Sequence, residues 1–233
     1  QIARQGQARR GRRAHGHQAA EDEGLHVARA NARGRRGAGL ARDGEGEFFV
    51  LEDNLRTPSG VSYMIESRNI SQKLMPELCT ANNLQGIEHY PKLLKEILQE
   101  NSPADQPFIV VLTPGRFNSA YYEHAFLARE MDVPLVTNRD LFVENDQVFV
   151  KAIRGRQKVD VIYRRLDDDF LDPLAFRPDS ALGVAGLMSA YLQKNVVIAN
   201  APGTGVADDK SIYPYVDQMI QYYLDETPIL KNV

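Results

Sequence analysis

Short, continuously apolar runs set the strongest limit on what this chain can fold into. FIVVL at 108–112 runs into the turn TPG, as expected of a strand buried in a parallel sheet. VDVIYRRL at 159–166 and VVIANA at 196–201 predict further strands, and the intervening stretches AYYEHAFLAREM and SALGVAGLMSAYLQK predict helices. Alternating strands and helices imply an α/β layer architecture.

The remaining predicted elements fit the same class. FFVLEDN at 48–54 predicts a strand that ends in the turn TPSG. PLVTNRDLFVEND at 134–146 predicts a strand and a turn, and QVFVKA predicts another strand. Helices are expected at 63–79, at 90–100 and at 208–226. In the second of these, Leu94 and Leu98 recur at helical spacing and indicate a buried face.

The beginning of the chain differs from the rest in composition. Residues 1–46 contain ten Arg, no Lys, five acidic residues and almost no large apolar side chains. They cannot bury enough apolar surface to offset chain entropy, so we expect residues 1–41 to be disordered or not native to the family. The clusters RRGRR and RGRR have three possible explanations: a nucleic-acid-binding arm, a plain linker, or a start read in the wrong frame. Nucleic acid is the least favoured partner, because no aromatic residue lies among the basic ones.

Cysteine use and the length of the apolar runs bear on location. Cys79 is the only cysteine, which excludes an intrachain disulfide and favours a reducing, cytoplasmic compartment. The longest apolar runs are far shorter than a helix that crosses a bilayer. We therefore expect no membrane partner.

The segment VLEDNLR carries the most specific candidate site. Alternate residues of a strand share one face, so Glu52, Asn54 and Arg56 are expected to point the same way. Glu and Asn oxygens suit Mg²⁺ held jointly with nucleotide phosphates, and Arg56 can neutralise a phosphoryl or carboxyl oxygen. A solvated strand face with a Glu–Arg pair is the alternative, and spacing alone favours it.

The turn TPGRFNS follows a predicted strand and opens a helix, which is a frequent place for a bound anion. Arg116, Asn118 and Ser119 can contact an anion there. The turn matches neither GxGxxG nor a P-loop, so spacing identifies no nucleotide. His124, in the helix that follows, is expected to be a hydrogen-bonded structural residue.

Two further segments place charges after strands. Arg164, Arg165 and Asp168 in YRRLDDD can grip a carboxylate or phosphate, or can form an internal ion-pair network that anchors a loop. In NAPGTGVADDK, the amides of the GTG turn can cradle an anion beside Lys210, while one of the two aspartates can cap the next helix.

Four motifs together are similar to one family. EFFVLEDNLRTPSGVSYMIESR, VVLTPGRFNSAYYEHAFLA, DVIYRRLDDDFLDPLAFRPDS and VIANAPGTGVADDKSIYPYV resemble the circularly permuted ATP-grasp proteins related to glutathionylspermidine synthase, in the family's order and over nearly all of 42–233. The resemblance implies an ATP-dependent ligase that activates a carboxylate as an acyl phosphate and joins it to an amine. ATP and Mg²⁺ would be the cofactors, and a small-molecule acid and an amine would be the substrates.

The resemblance also implies roles for individual residues. Glu52 and Asn54 would hold Mg²⁺ against the nucleotide phosphates, and Arg56 would contact a phosphate or the acyl phosphate. Arg164 and Arg165 would be catalytic as well. The residues expected to bind substrate are Ser59, Ser62, Asn118, Asp168 and Lys210.

The sequence departs from the family at both ends. The metal site normally includes an Asp in a G-x-D-L-V-R-D run, whereas this chain reads GAGLARD with Gly39 at that place. We therefore expect the similarity to begin near Leu40 or Arg42. The family continues past ILKNV into an ATP-binding subdomain with a strand lysine and a Gly-rich loop, so we expect a fragment truncated at both ends.

This expectation sets the predicted domains and function. Residues 42–100 would be part of an ATP-grasp metal-binding subdomain, and residues 101–233 would form an α/β domain like the Rossmann-like pre-ATP-grasp half. Alone, the chain is expected neither to bind ATP tightly nor to turn over. A non-enzymatic α/β ligand-binding module is the alternative function.

Overall fold

The strand predicted at 48–54 has a hairpin partner that the sequence does not predict. A computed structural model describes residues 37–153 and 155–232. In it, Gly37–Arg42 (β1) pairs antiparallel with Phe48–Asn54 (β2). Residues 37–41 thus depart from the expectation of disorder, because strand pairing satisfies their backbone groups without much apolar burial. The Arg-rich clusters and the rest of residues 1–36 lie outside the described residues.

The described residues combine strands and helices, which confirms the mixed α/β class. The other strands are β3 (Ile109–Leu112), β4 (Leu135–Val136), β5 (Leu141–Glu144), β6 (Gln147–Ala152), β7 (Gly155–Lys158), β8 (Val161–Arg164), β9 (Val197–Ala199) and β10 (Lys231–Asn232). The α-helices are α1 (Val61–Leu74), α2 (Pro76–Ala81), α3 (Tyr90–Glu100), α4 (Tyr121–Glu130), α5 (Leu187–Leu192) and α6 (Tyr213–Leu224).

The chain folds as two compact units. One contains the described residues up to Pro58 together with those from Ala199 onward, and the other contains residues 59–198. This division does not follow the linear ranges 42–100 and 101–233, because β2 pairs with β10 from the far end of the chain. The assignment of those ranges to ATP-grasp subdomains stays a prediction.

The unit of residues 59–198 is built on a sheet with the strand order β4-β3-β8-β9, of which β9 contributes its first two residues. β3 pairs in parallel with β4 and with β8, and every residue of β3 and β8 is buried, as continuous apolar runs predict. α3 buries Leu94 and Leu98, and α4 buries Phe126 and Leu127. A second sheet, β5-β6-β7, is an antiparallel meander.

Two departures from the sequence-based expectation concern helices in the unit of residues 59–198. The helix predicted at 63–79 breaks between α1 and α2 because Pro76 cannot continue the hydrogen-bond pattern of the preceding turn. The helix predicted over SALGVAGLMSAYLQK forms only at α5. It begins after Gly186, which has a φ of 82°, and the buried Asp172 accepts hydrogen bonds from the Gly186 and Met188 amides.

The smaller unit is a three-stranded sheet with the order β1-β2-β10, joined by α6 and two 3-10 helices at Thr204–Asp208 and Lys210–Ile212. Residues 208–212, predicted to start a long helix, form these tighter turns, and α6 begins with Pro214 in its first turn. No helix within 37–153 and 155–232 is long and apolar enough to span a membrane.

Candidate active site

Glu52 and Asn54 meet on one face of β2. The Nδ2 atom of Asn54 lies 3.4 Å from Oε1 of Glu52, and both side chains are half-buried. Rotating the Asn54 amide by 180° exchanges its oxygen and nitrogen, so the same position can present an oxygen beside the carboxylate. The structure therefore brings together the two residues predicted to hold a metal ion.

Gly39 lies directly across from this pair. It is the antiparallel partner of Glu52, at a bulge where Leu51 is the extra residue of β2. A Cβ atom at position 39 would lie 3.0 Å from Cγ of Glu52 and 3.7 Å from its Oε1 atom. The position at which the family resemblance implies an Asp thus faces the predicted metal pair, and in this chain it supplies no side-chain ligand.

Lys210 approaches the same carboxylate. Its Nζ atom is 3.4 Å from Oε2 of Glu52, and the Lys210 side chain is 79% exposed. Such an exposed ion pair contributes at most about 1 kcal/mol. Lys210, predicted to bind substrate, therefore lies beside the metal pair without being held firmly there.

Side chains that are distant in sequence hold the backbone just after β2. The Oδ1 atom of Asp208 accepts a hydrogen bond from the Leu55 amide at 2.6 Å, and the same carboxylate accepts from the Arg56 amide at 3.3 and 3.4 Å. The Leu55 carbonyl accepts from Asn200 Nδ2 and, at 3.3 Å, from Thr204 Oγ1. We call Asn200, Thr204 and Asp208 the clasp.

The GTG turn lies against the Arg56 side chain. A Cβ atom at Gly205 would overlap the Arg56 guanidinium, lying 3.0 Å from both Cζ and Nη2. Gly205 is therefore required for this close approach. The neighbouring Asp209 acts locally, since it accepts from the Ser211 amide at 2.9 Å and caps the 3-10 helix Lys210–Ile212, as the sequence predicts for one of the two aspartates.

In the unit of residues 59–198, Ser62 is fully buried against a carboxylate. Glu123 Oε2 accepts from the Ser62 hydroxyl at 2.9 Å, from the Ser62 amide at 3.1 Å and from the Gly60 amide at 2.8 Å. A carboxylate at these amides satisfies donors that the first turn of α1 leaves free. Ser59, which precedes the helix, is exposed.

The two arginines at the end of β8 are buried in ion pairs. Arg165 Nη2 lies 3.2 Å from Glu123 Oε1, and Arg164 Nη2 lies 2.7 Å from Asp168 Oδ1. Arg164 also donates to the Leu166 carbonyl at 2.8 Å. This geometry is that of an internal ion-pair network, which is one of the two alternatives given by the sequence for these residues. The predicted catalytic roles of both arginines stay predictions.

His124 is a buried structural residue, as predicted. Its Nδ1 atom lies 2.9 Å from the Thr113 hydroxyl, and the residue is 2% exposed. Burial, and then the positive charge of Arg165, lower the pKa of His124 to about 3. The imidazole therefore stays neutral at physiological pH, and its low pKa makes it a weak proton acceptor.

The loop after β3 keeps the predicted anion contacts at the surface. Asn118 is exposed, and its Oδ1 atom accepts from the Ala120 amide at 2.9 Å, which orders the turn before α4. Arg116 lies 5.0 Å from the ring of Phe117, and Phe117 is 91% exposed. Asn118 thus lies at the surface, whereas Arg164 and Arg165 are each at most 5% exposed.

The donor set around Glu52 fits a magnesium ion only in part. The described residues contain no group of three or more His, Cys, Asp or Glu side chains suited to a metal ion. Mg²⁺ is usually held by one or two carboxylates together with waters and substrate phosphates. Glu52 and Asn54 can therefore supply the protein ligands of an ion that a phosphate group also holds, but not of an isolated ion.

Comparison with known proteins identifies related sequences. The family model described as circularly permuted ATP-grasp type 2 matches residues 13–233, so the match begins well before the start near Leu40 or Arg42 that we expected. An uncharacterized protein of Synechocystis sp. is 54% identical over 199 residues, which are 84% of this chain and 41% of the relative. One of Mycobacterium tuberculosis is 51% identical over 84% of this chain and 36% of the relative.

A third relative has a more specific name. A putative glutamate–cysteine ligase 2-3 of Frankia alni is 42% identical over 200 residues, which are 84% of this chain and 23% of that protein. The chain thus spans about two fifths or less of the length of these curated relatives.

Proposed function

The chain belongs to the circularly permuted ATP-grasp type 2 family, and on that premise we propose that it forms part of an ATP-dependent ligase that joins a carboxylate to an amine. The contact between Glu52 and Asn54, two residues before Arg56, carries the proposal. Carboxylate and amide oxygens with a nearby guanidinium are the groups that hold Mg²⁺ and phosphoryl oxygens together.

The proposed reaction has two steps. A carboxylate oxygen of the acid attacks the γ-phosphorus of ATP, the bond from that phosphorus to the β–γ bridging oxygen breaks, and ADP leaves. The amine then attacks the acyl carbon and loses a proton, and phosphate leaves. Mg²⁺ held by Glu52 and Asn54 would offset charge on the phosphates. Arg56 would contact the transferred phosphoryl group, where a fixed cation stabilises the charge on its oxygens in the transition state.

The acid and the amine are proposed only as classes. The name of the Frankia alni relative supports an amino acid as one substrate, because a glutamate–cysteine ligase joins a carboxylate of one amino acid to the amine of another. This chain covers 23% of that relative, and the name describes the whole protein. Kinship with glutathionylspermidine synthase likewise stays a proposal.

The proposed ligase includes more polypeptide than these 233 residues. The chain spans 41% of the Synechocystis relative and 36% of the mycobacterial one. We propose that residues 42–100 contribute the metal-binding part of the ATP-grasp and that residues 101–233 contribute a Rossmann-like pre-ATP-grasp part. The 233-residue chain alone would then neither bind ATP tightly nor turn over.

A non-enzymatic ligand-binding module is the second candidate function. Gly39 supplies no third ligand opposite Glu52, and Arg164 and Arg165 are buried in ion pairs. These observations favour a protein that keeps the family's fold without its chemistry. The two candidates differ in whether ATP is consumed.

Trapping the acyl phosphate tests the proposal. The complete polypeptide that carries this chain is incubated with Mg-ATP, a mixture of amino acids and hydroxylamine, and both hydroxamate and ADP are measured. The ligase proposal predicts both products in equal amounts, because hydroxylamine replaces the amine at the acyl carbon. The 233-residue chain alone is expected to form neither, and hydrolysis of ATP by it would contradict the proposed division of labour.

Matched variants assign the metal pair. Glu52→Gln removes the charge of the predicted metal ligand and is expected to lower hydroxamate formation by at least 100-fold. Glu47→Gln makes the same change at an exposed residue just before β2, and it should leave the rate unchanged. Equal rates for the two variants would exclude Glu52 as a metal ligand. Complete absence of ATP consumption would favour the binding module.

A further inference from the structure

Leu55, the first residue after β2, is held by side chains instead of by a neighbouring strand. Its amide donates to Asp208 at 2.6 Å, and its carbonyl accepts from Asn200 and Thr204. The partners are 145 to 153 residues away in sequence but belong to the same compact unit. Both backbone groups of Leu55 are thus satisfied by the clasp, as a sheet neighbour would satisfy them.

The contacts extend to both sides of Leu55. The Tyr213 hydroxyl donates to the Asp53 carbonyl at 3.2 Å, and the Arg56 amide donates to both oxygens of Asp208. Hydrogen bonds to a carboxylate are roughly twice as strong as those between neutral groups. The backbone from residue 53 to residue 56 is therefore fixed from one side by residues 200–213.

This position matters because Leu55 separates two predicted site residues. Asn54 and Arg56 flank it, so the backbone angles of Leu55 set the relative directions of their side chains. Gly205, in the same segment, brings the backbone close to the Arg56 guanidinium. The segment NAPGTGVADD thus approaches both the backbone amide and the guanidinium of Arg56.

We propose that Asp208 is a positioning residue that fixes the Leu55–Arg56 backbone and so holds the Arg56 guanidinium at a set place relative to the Glu52–Asn54 pair. This inference rests on the proposed function for its catalytic consequence and on the structure alone for its mechanical part. A misplacement of about 1 Å at a reacting group can lower a rate about 100-fold, so a residue that touches no substrate can still control turnover.

The neighbouring aspartate offers a matched control. Asp208→Ala and Asp209→Ala remove the same charge from adjacent positions, but the Asp209 carboxylate accepts from the nearby Ser211 amide and not from residue 55 or 56. Asp208→Asn keeps one acceptor oxygen and is the conservative variant. Each is made in the ¹⁵N-labelled 233-residue chain, and the Arg56 Nε–Hε resonance is assigned by its loss in Arg56→Lys.

Two readouts in that chain test the mechanical part. Asp208→Ala is expected to speed amide exchange at residues 55 and 56 by at least tenfold and to move the Arg56 Nε–Hε resonance to its position in an unfolded peptide. Asp208→Asn should retain part of the protection, and Asp209→Ala should match the parent chain. The proposal is overturned if Asp208→Ala leaves both readouts as they are in Asp209→Ala.

Turnover tests the consequence. In the complete polypeptide, Asp208→Ala is expected to lower kcat for hydroxamate formation about 100-fold with a smaller change in the KM for Mg-ATP, and Asp208→Asn should restore part of kcat. An unchanged kcat despite fast exchange at residues 55 and 56 would overturn the positioning role. A parent polypeptide that forms no hydroxamate would count against the proposed ligase, while the exchange and resonance measurements would still decide whether Asp208 holds Arg56.

Discussion

Replacing Glu123 by Gln should cost far more stability than its position in a helix suggests. The Glu123 carboxylate is fully buried, and its two oxygens have different partners. Oε2 accepts from the Gly60 amide and from both the amide and the hydroxyl of Ser62, while Oε1 faces Arg165. A glutamine has one acceptor oxygen. If that oxygen accepts the hydrogen bonds from the start of α1, the NH₂ group of the glutamine faces the Arg165 guanidinium. Both groups are hydrogen-bond donors, so they cannot bond to each other.

The magnitude follows from the burial of Arg165. The Arg165 side chain is 2% exposed. In Glu123→Gln its guanidinium therefore has neither the Glu123 carboxylate nor water as a partner for its charge. Breaking a buried ion pair by removing one partner typically costs about 3–5 kcal/mol. The contact from Arg165 Nη1 to the Tyr163 hydroxyl at 3.2 Å remains, which places the loss near the lower end of that range. With an m-value of about 2 kcal/mol/M, a loss of about 3 kcal/mol lowers the urea midpoint by about 1.5 M.

Equilibrium urea unfolding of the parent chain and three variants is the measurement. Glu130→Gln is the matched control, because it breaks a Glu–Arg contact of 3.0 Å with Arg129 on the surface of the same helix and should cost less than about 1 kcal/mol. Glu123→Gln combined with Arg165→Met should be more stable than Glu123→Gln alone, since it removes the stranded charge. Similar midpoints for Glu123→Gln and Glu130→Gln would refute the reasoning.

Three other predictions concern single residues. The pKa of His124 is about 3 in the folded chain and about 6.5 in the unfolded chain, so its contribution to stability is present above pH 6.5 and is lost as the pH falls towards 3. The free energy of unfolding should therefore fall by about 2 kcal/mol between pH 7 and pH 5. His124→Gln should not show this fall. Gly39→Asp should raise Mg²⁺ affinity about tenfold in a titration with pyrophosphate present, because its carboxylate would lie beside Glu52, whereas Gly39→Ala adds bulk alone and should not. Gly205→Ala should shift the Arg56 Nε–Hε resonance, because the added methyl group would displace the guanidinium. It should change the unfolding free energy by less than about 1 kcal/mol, since the end of an arginine side chain can move aside. An unchanged resonance would contradict the close approach.

Local patterns predicted those elements whose residues decide their own conformation. α3 forms over Tyr90–Glu100, the range expected from its apolar spacing, and the apolar runs at β3 and β8 became buried strands. The same patterns could not predict β1. Gly37–Arg42 has little apolar content and becomes a strand because β2 is available to pair with it, and pairing between segments is not a local property.

In the candidate site, too, some features follow from local spacing and others depend on residues that are distant in sequence. The spacing of Glu52 and Asn54 is local, and their contact on β2 follows from it. Glu123 was missed because a glutamate in an amphipathic helix is normally exposed, and its burial depends on Arg165, 42 residues away. Asp208 was missed for a related reason: an aspartate after a GTG turn resembles a helix cap, and its partners near residue 55 are visible only in the folded chain.

Gly39 connects both levels. In the sequence it is an absent Asp near the edge of a family motif, which by itself suggests that the similarity stops there. In the structure it is the cross-strand neighbour of Glu52, and the family match extends past it to residue 13. Cross-strand neighbours project to the same face, so in the proposed metal site a side chain at position 39 would lie beside Glu52. What position 39 lacks, relative to the family motif, is thus a side chain and not the pairing of its backbone with Glu52.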